Sequence, residues 1–279
     1  ARDGAPHQSL QRQFHSALCF RRLVNSQDNL DCLAAFFSVY QRLLVVLDGI
    51  NINIEDGRST VILGKSGQGK SVLLKLITRL LYPASGNLII DGDDLGMLTG
   101  NDLDTCRLKF GMLFQSAALF DSMNIYDNVG IGLKAHNRFS ESEIDAITAE
   151  SLARVGLSDV GEKFPAQLSG GMRKRVGLAR VVAMKPQYIL YDEPTTGLDP
   201  VTSAQIAKMI KEMQDDLKVT SIIVTHDIPT GFFLADQIVL LDQGNFSFSG
   251  SVKEMRNSPL ESVQDFISGY KEETDLKYR

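Results

Sequence analysis

A glycine-rich loop at residues 64–71 carries the side chains whose spacing points most directly to chemistry. It reads Gly-Lys-Ser-Gly-Gln-Gly-Lys-Ser and follows the apolar run at residues 59–63. Glycines let successive N–H groups turn toward one anion, and the helix that follows adds a partial positive charge. Lys70 can reach terminal phosphates, and the Ser71 hydroxyl can bind Mg²⁺. The pattern predicts a nucleotide-phosphate site, with contacts from Gly64, Lys65, Ser66, Gly67, Gln68, Gly69, Lys70, Ser71 and Val72.

Two adjacent carboxylates, Asp192 and Glu193, follow the short apolar run at residues 188–191. Asp192 is placed to hold Mg²⁺ through water, and Glu193 can act as the general base toward an attacking water. Such a pair is often only the solvated end of a strand. Its presence in the same chain as the phosphate loop favours a catalytic role.

Two further segments add polar groups in the second half of the chain. Ser169, Gly170 and Gly171 open a helical pattern, which makes a second anion site at a helix N-terminus. His226 follows the apolar run at residues 221–224 and can contact a γ-phosphate. Taken alone, a Ser-Gly-Gly run is usually a turn and a lone histidine is usually structural. Their joint appearance with the loop and the carboxylates, in this order, favours one catalytic domain.

With these motifs in this order, the chain resembles the ATP-binding cassette (ABC) ATPases across residues 40–255. The resemblance implies that residues 64–71 are the Walker A loop and that ATP and Mg²⁺ are bound. It implies that Glu193 is the catalytic glutamate and that His226 and Lys70 take part in hydrolysis. The metal ligands it implies are Ser71, Gln115 and Asp192.

The same resemblance assigns contacts outside the Walker loop. Gln115 matches the glutamine that contacts Mg²⁺ and senses the membrane partner, and Asp199 matches the D-loop aspartate. Residues 169–171 match the signature loop, which in the family binds the γ-phosphate of ATP held by the opposite subunit. Tyr40 is the candidate for stacking on adenine, with Phe37 as a nearby alternative.

Three positions depart from the family pattern. Met172 stands where the signature usually has Gln, and Val72 replaces the Thr that commonly follows the Walker A serine. The segment before Tyr40 does not read like the usual first strand. The first two leave the catalytic Lys, Asp and Glu in place, whereas the third weakens the adenine contact.

A narrower resemblance concerns residues 113–129, 168–175 and 258–266, which look like the ATPases of Mce-type phospholipid transport, including the Mla system and its chloroplast relative. This resemblance implies a homodimer that powers phospholipid transport through membrane permease subunits, together with an Mce-type lipid-binding subunit. It implies a peripheral position on the cytoplasmic face of the inner membrane, or alternatively on the stromal face of a plastid envelope. The competing interpretation is that Ala117, Leu119 and Phe120 are merely core residues.

Composition limits the classes of function. Net charge is −5, so no basic field indicates DNA or RNA, and we expect no nucleic-acid partner. The three cysteines have neither metal-ligand nor paired spacing, which suits a reducing compartment. The apolar stretch at residues 34–47 is too short to span a bilayer, so we expect membrane association through a partner.

Alternation of apolar runs and helical patterns predicts an α/β fold with a parallel core sheet. The resemblance implies that this fold is an ABC-type nucleotide-binding domain with a P-loop parallel core sheet, an antiparallel β subdomain and a helical subdomain. We expect residues 1–33 to be an N-terminal arm of uncertain order, with a transit peptide as the less favoured alternative for this acid-poor segment, and we expect the ATPase domain at residues 34–255. The helical subdomain is expected at residues 116–167, where Ser140 opens a capping box. Residues 256–279 form a tail with a possible partner contact.

The same patterns predict the individual strands and helices. The strands are predicted at residues 45–54, 59–63, 87–91, 109–114, 187–192, 220–225 and 237–242. The helices are predicted at residues 71–80, 140–155, 171–184 and 200–217.

The resemblance implies composite sites. The Walker A and signature loops of one chain lie too far apart to grip one nucleotide, so two chains facing head to tail would share each ATP. We also expect residues 115–120 to form a groove for a permease helix, next to a phosphate-sensing glutamine.

Other classes fit less well. The runner-up is the ATPase subunit of a small-solute ABC importer. A soluble, non-transport ABC ATPase is a further alternative, but those in DNA repair insert a coiled coil between Walker A and signature, and residues 64–169 show no heptads. A kinase or GTPase would lack the signature loop.

Overall fold

A six-stranded sheet lies at the centre of the structure, a computed structural model in which residues 45–135 and 139–277 are described. The strands of the described residues are β1 (Ser59–Leu63), β2 (Ile89–Ile90), β3 (Asp93–Asp94), β4 (Phe110–Leu113), β5 (Tyr188–Asp192), β6 (Thr220–Thr225), β7 (Gln237–Asp242) and β8 (Asn245–Gly250). The helices are α1 (Lys70–Ile77), α2 (Gly100–Arg107), α3 (Ile125–Ala135), α4 (Glu141–Arg154), α5 (Gly170–Ala183), α6 (Pro200–Leu217), α7 (Ile228–Leu234), α8 (Val252–Arg256) and α9 (Glu261–Lys277).

The order of strands in the sheet brings the predicted motifs to one edge. The order is β4-β5-β6-β1-β7-β8; the neighbours from β4 to β7 are parallel, and β8 is antiparallel to β7. Leu63 at the end of β1 is paired with Thr225 at the end of β6, and Asp192 at the end of β5 is paired with Val224. The Walker A loop, the carboxylate pair and His226 therefore lie next to one another at the same edge of the sheet.

Both faces of the sheet are covered, which explains the nearly continuous apolar runs of its strands. Ile62 of β1 packs with Leu74 of α1 in one cluster, whereas Val61 and Leu63 belong to a second cluster that includes residues of α5, α6 and α7. Every residue of β1 is buried. The α/β fold with a parallel core sheet is confirmed.

Two helices, α3 and α4, pack against α5 through a shared apolar interface that includes Val129, Leu133 and Leu152. The capping box that begins α4 is present, because the Ser140 N–H donates to Glu143 Oε2 at 2.8 Å and the Ser140 hydroxyl caps the helix. Both helices fall in the region predicted as the helical subdomain. Its boundaries stay a prediction.

The antiparallel part of the fold is smaller than the sequence pattern indicated. Strands β2 and β3 form a two-stranded sheet, and the strand predicted at residues 87–91 contains only two paired residues. Asp91, just after β2, ties this hairpin to the main sheet: Lys109 Nζ lies 2.6 Å from its Oδ2, and the Tyr188 hydroxyl donates to it. These bonds hold the pKa of Asp91 below its usual range.

The prediction of a strand at residues 45–54 was wrong. The described segment is not paired with any strand, although Ile50, Ile52 and Ile54 are half-buried and pack against the core on alternate positions. Alternation shows which side chains face the core, but a strand also needs a neighbouring backbone with free N–H and C=O groups.

Five helices of the described chain were not predicted individually. One is α3, which falls within the predicted helical subdomain, and one of the other four, α9, changes the interpretation of the C-terminal tail. Helix α9 buries Val263 and Phe266 in the main apolar cluster, so this part of the predicted tail belongs to the chain's own core. Whether residues 256–279 also contact a partner stays a prediction. The other three helices are α2, α7 and α8. None of the helices described is both long and apolar enough to cross a bilayer.

Candidate active site

The Walker A loop occupies the six residues between β1 and α1, and its backbone geometry requires glycine at two positions. A Cβ atom on Gly64 would lie 2.6 Å from the carbonyl oxygen of Leu241, so no side chain fits there. Gly69, the residue before α1, has a φ of 97°, a conformation that glycine adopts without strain. Lys65, Ser66 and Gly67 are exposed, so one face of the loop is open to a ligand.

The buried ammonium group of Lys70 lies under this loop. Its Nζ atom donates to the carbonyl oxygens of Gly64 at 2.7 Å and Lys65 at 3.0 Å, and it lies 3.4 Å from Glu193 Oε1. The side chain is only 6 % exposed. A fixed positive charge therefore stands between the loop and the carboxylate, where terminal phosphates would be neutralised.

The pair Ser71–Asp192 provides hard oxygen atoms beside the loop. The Ser71 hydroxyl donates to Asp192 Oδ1 at 2.9 Å. Burial raises the pKa of Asp192, and the Ser71 hydrogen bond opposes that rise. Mg²⁺ is usually bound by one or two carboxylates together with substrate phosphates and water, and this donor set fits that pattern. The described residues contain no cluster of three or more His, Cys, Asp or Glu that could hold a metal without other ligands.

Glu193 stands at the centre of a buried hydrogen-bond network. Its Oε2 atom is 2.9 Å from His226 Nδ1 and accepts from the hydroxyls of Thr196 at 2.8 Å and Thr225 at 3.2 Å. Burial by itself raises the pKa of Glu193, but the hydrogen bond and charge of His226, together with Lys70, outweigh it and lower the pKa to about 2. The carboxylate is therefore ionised and fixed in one orientation.

His226 is complementary to this carboxylate. Its hydrogen bond to Glu193 raises the pKa of the imidazole, and burial opposes that shift. The histidine side chain is 41 % exposed, in contrast to the 9 % of Glu193. Its outer edge is therefore accessible from the open side of the site.

The backbone of Glu193 is also held from both sides. Its φ of 48° lies in the left-handed region that a side chain other than glycine rarely adopts. Its N–H donates to the carbonyl oxygen of Val224 at 2.9 Å, and its own carbonyl accepts from Lys174 Nζ at 3.1 Å. Lys174, Thr196 and Thr225 were missed by sequence reasoning, although two of them stand inside segments that carried motif residues.

The other predicted site residues lie outside this network. Ser169 is exposed and caps α5 by accepting from the Met172 N–H at 3.2 Å; among the described residues no hydrogen bond joins residues 169–171 to the Walker A loop. Asp199 is exposed and caps α6 through the Thr202 N–H at 3.0 Å. Gln115 is exposed just beyond β4.

The predicted adenine contact is not part of this description. Tyr40 and its alternative Phe37 both fall outside the described residues.

Comparison with known families decides the assignment. The family described as "ABC transporter" matches residues 47–196. The chain belongs to the ABC transporter family. The match contains the Walker A loop, the signature loop and the carboxylate pair, whereas Thr225 and His226 of the site lie beyond it.

Two named relatives show how far the likeness extends. "Probable ribonucleotide transport ATP-binding protein mkl" of Mycobacterium tuberculosis is 41% identical over 80% of this chain and 62% of its own length. "Methionine import ATP-binding protein MetN 1" of Pseudomonas putida is 39% identical over 78% of this chain and 65% of its own length. The ABC transporter chain described here thus spans less than two thirds of these relatives.

Solved structures give the same fold. The dimeric post-hydrolysis structure of the ATP-binding cassette MJ0796, bound to ADP and Pi, has a TM-score of 0.69 at 32% identity, over 74% of this chain and 90% of that one. CbiO1 from Clostridium perfringens, part of the ABC transporter complex cbiONQ, has a TM-score of 0.70 at 34% identity, over 76% and 84% of the two chains.

Proposed function

We propose that this chain is the ATP-hydrolysing subunit of an ABC transporter that moves phospholipid through a membrane permease. The observation that carries the ATPase assignment is the cluster at the ends of β1, β5 and β6. There the ionised carboxylate of Glu193 contacts both the ammonium of Lys70 and the imidazole of His226, beside the Ser71–Asp192 pair.

These groups have complementary roles toward ATP. Lys70 and the N–H groups of the Walker A loop neutralise the β- and γ-phosphates. Ser71 and Asp192, with Gln115, would hold Mg²⁺, which would neutralise further charge on the phosphates. Glu193, kept ionised, accepts a proton from the attacking water.

His226 completes this arrangement. Nδ1 of the ring is engaged by Glu193, so its other ring nitrogen is free to donate toward the γ-phosphate. The shared hydrogen bond also keeps the general base aligned with the phosphate that the histidine contacts.

The signature loop supports a head-to-tail homodimer. Ser169, at the exposed N-terminus of α5, is not bonded to the Walker A loop of its own chain and presents an anion-binding helix end outward. In the dimer, the N-terminus of α5 from one subunit would lie over the nucleotide bound to the other subunit, with Asp199 nearby. The dimeric state of the MJ0796 cassette supports this arrangement.

The surface at residues 115–120 supports a permease contact. Gln115, Ala118 and Phe120 are exposed, and Phe120 is 49 % exposed. The turn beneath is rigid, because Arg180 donates to the carbonyl oxygens of Ala117 at 2.7 Å and Ala118 at 2.9 Å. Ala117, in contrast, is buried, so the expectation that it faces a partner helix was wrong.

Phospholipid as the substrate rests on residues 113–129 and on Met172 in the signature, both of which resemble the Mce-type group. An Mce-type lipid-binding subunit would then complete the complex, which would lie on the cytoplasmic face of the inner membrane. The named relatives reported above are bacterial and give no support to a plastid location. The second candidate is small-solute import, which the likeness to the methionine import protein favours.

Identifying the partners tests the proposal. The native complex is purified through this chain, its membrane and substrate-binding subunits are identified by mass spectrometry, and ATP turnover is compared with and without phospholipid. Co-purification of an Mce-type subunit and stimulation by phospholipid are expected. Stimulation by methionine or another small solute would instead support the importer alternative.

A matched pair of variants tests the permease contact. Ala118→Glu should keep folding and basal turnover but lose co-purification with the membrane subunit, because it places a charge on an exposed apolar surface. Ala117→Glu should fail to fold, since burying a carboxylate without a partner is costly. If Ala118→Glu still assembles and transports, the contact lies elsewhere.

A further inference from the structure

Lys174 is a buried cation whose ammonium group bonds to backbone rather than to a carboxylate side chain. It lies on α5, is only 4 % exposed, and donates from Nζ to the carbonyl oxygen of Glu193 at 3.1 Å. Burial lowers its pKa to about 8, while Asp192 and Glu193 raise it. Burying an amine is costly unless it makes a compensating contact, so this position requires an explanation.

The contact falls at a point of backbone strain. Glu193 has a φ of 48°, which costs energy for a residue with a side chain and persists only where surrounding contacts enforce it. One side of the residue is held by the bond from its N–H to Val224, and the other by Lys174. The Thr196 N–H also donates to this carbonyl oxygen, at 3.3 Å. Without the lysine, only this longer hydrogen bond would remain, and the peptide could rotate toward a relaxed conformation.

The helix that carries Lys174 also carries the signature loop. Ser169 caps α5, and Lys174 follows little more than one helical turn later. The start of α5 packs closely on the segment after Glu193: a Cβ on Gly171 would lie 2.5 Å from Thr202 Cγ2, and one on Gly170 would lie 3.3 Å from Leu198. A displacement of α5 would therefore reach Glu193 through Lys174.

We infer that Lys174 is a positioning residue, through which the signature helix fixes the backbone, and hence the carboxylate, of Glu193 in the same chain. The inference rests on the proposed ATPase function. When the signature loop binds the nucleotide of a partner subunit, a movement of α5 would be transmitted through Lys174 to Glu193, the general base of the same chain. The buried ammonium of Lys174 donates to the carbonyl oxygen of Glu193 and, among the described residues, makes no hydrogen bond to the Walker A loop, so its removal should affect turnover and not ATP affinity.

The test uses graded removal of the donor. Lys174→Met keeps the side chain as far as Cε, with similar apolar volume, but removes the donor, and should lower the turnover number by between about tenfold and a hundredfold. Lys174→Gln keeps a neutral donor on a side chain one bond shorter, and should lower turnover only about threefold. ATP affinity, measured by titration with a fluorescent nucleotide, should change less than about twofold in both. Lys208→Met, on the exposed face of α6, is the control and should behave as wild type.

A double variant separates positioning from a general structural effect. If Lys174 acts through Glu193, adding Lys174→Met to Glu193→Gln should cause almost no further loss of turnover, since the group being positioned is already gone. A multiplicative further loss would overturn the inference.

The remaining outcomes also decide the matter. The inference is supported if the turnover number decreases in the order wild type, Lys174→Gln, Lys174→Met. Any other order overturns it. If Lys174→Met does not fold, the glutamine variant alone decides: a several-fold fall at unchanged ATP affinity supports the role, and wild-type turnover overturns it. Absence of hydrolysis by the wild-type chain would contradict the proposed function itself.

Discussion

Replacing Glu193 by glutamine separates binding from chemistry at this site. The amide oxygen can still accept from Thr196 and Thr225, so the local fold is expected to persist. The variant loses the proton acceptor, and a positioned general base contributes ~10²–10⁴ in rate. It also loses a negative charge close to the γ-phosphate, so ATP affinity should be kept or increased, and an ATP-bound dimer should accumulate.

The structure also gives the expected effect on stability. The pKa of Glu193 falls from 4.5 to about 2, and that difference corresponds to about 3 kcal/mol in favour of the ionised form. Because the folded-state pKa is depressed, this stabilisation is present above pH 4.5 and is lost as pH falls toward 2. Without nucleotide, Glu193→Gln should therefore be less stable than wild type near neutral pH, by up to about 3 kcal/mol, and the gap should close on acidification.

Three measurements on purified protein check this reasoning. Phosphate release gives turnover, size-exclusion chromatography with ATP reports the trapped dimer, and urea unfolding at several pH values gives the free energy difference. Glu212→Gln, an exposed carboxylate on α6, is the matched control and should change none of them. Near-normal hydrolysis by Glu193→Gln would refute the assignment of the general base, and a pH-independent stability difference would refute the electrostatic argument.

Other perturbations should have distinct signatures. Lys70→Ala should weaken ATP binding about tenfold or more in nucleotide titrations, because it removes the cation beneath the loop. Ser169→Arg should leave ATP binding by the monomer intact but block dimer closure and hydrolysis; normal turnover would contradict the head-to-tail model. Arg180→Met removes two charge-assisted hydrogen bonds and should lower the free energy of unfolding, measured in urea, by about 2 kcal/mol. Arg154→Met, which removes only an exposed ion pair, should not cause this loss. His226 has a raised pKa, so the stabilisation from its ion pair is complete below pH 6.5 and is lost as pH rises through the folded value. The melting temperature of wild type should therefore fall relative to His226→Gln on alkalinisation, and an unchanged difference would contradict the pairing.

The sequence by itself determined the features that depend on nearby residues. The phosphate loop could be read because its glycines and its lysine act within one short segment between a strand and a helix. The bounds of α6 were predicted as observed, since Asp199 caps its start and Pro200 occupies its first position. The capping box at Ser140 was likewise visible, because both of its partners lie within one turn.

Only the tertiary structure decided which distant groups meet. Thr225 and His226 reach Glu193 because β5 and β6 are parallel neighbours in a fixed register, and no local pattern contains that register. The side-chain donor to the carbonyl oxygen of Glu193 is Lys174, on a helix whose position is set by packing rather than by its own sequence. The failed strand at residues 45–54 has the same cause. Alternation of apolar residues is a property of one segment, whereas hydrogen bonding in a sheet is a property of two.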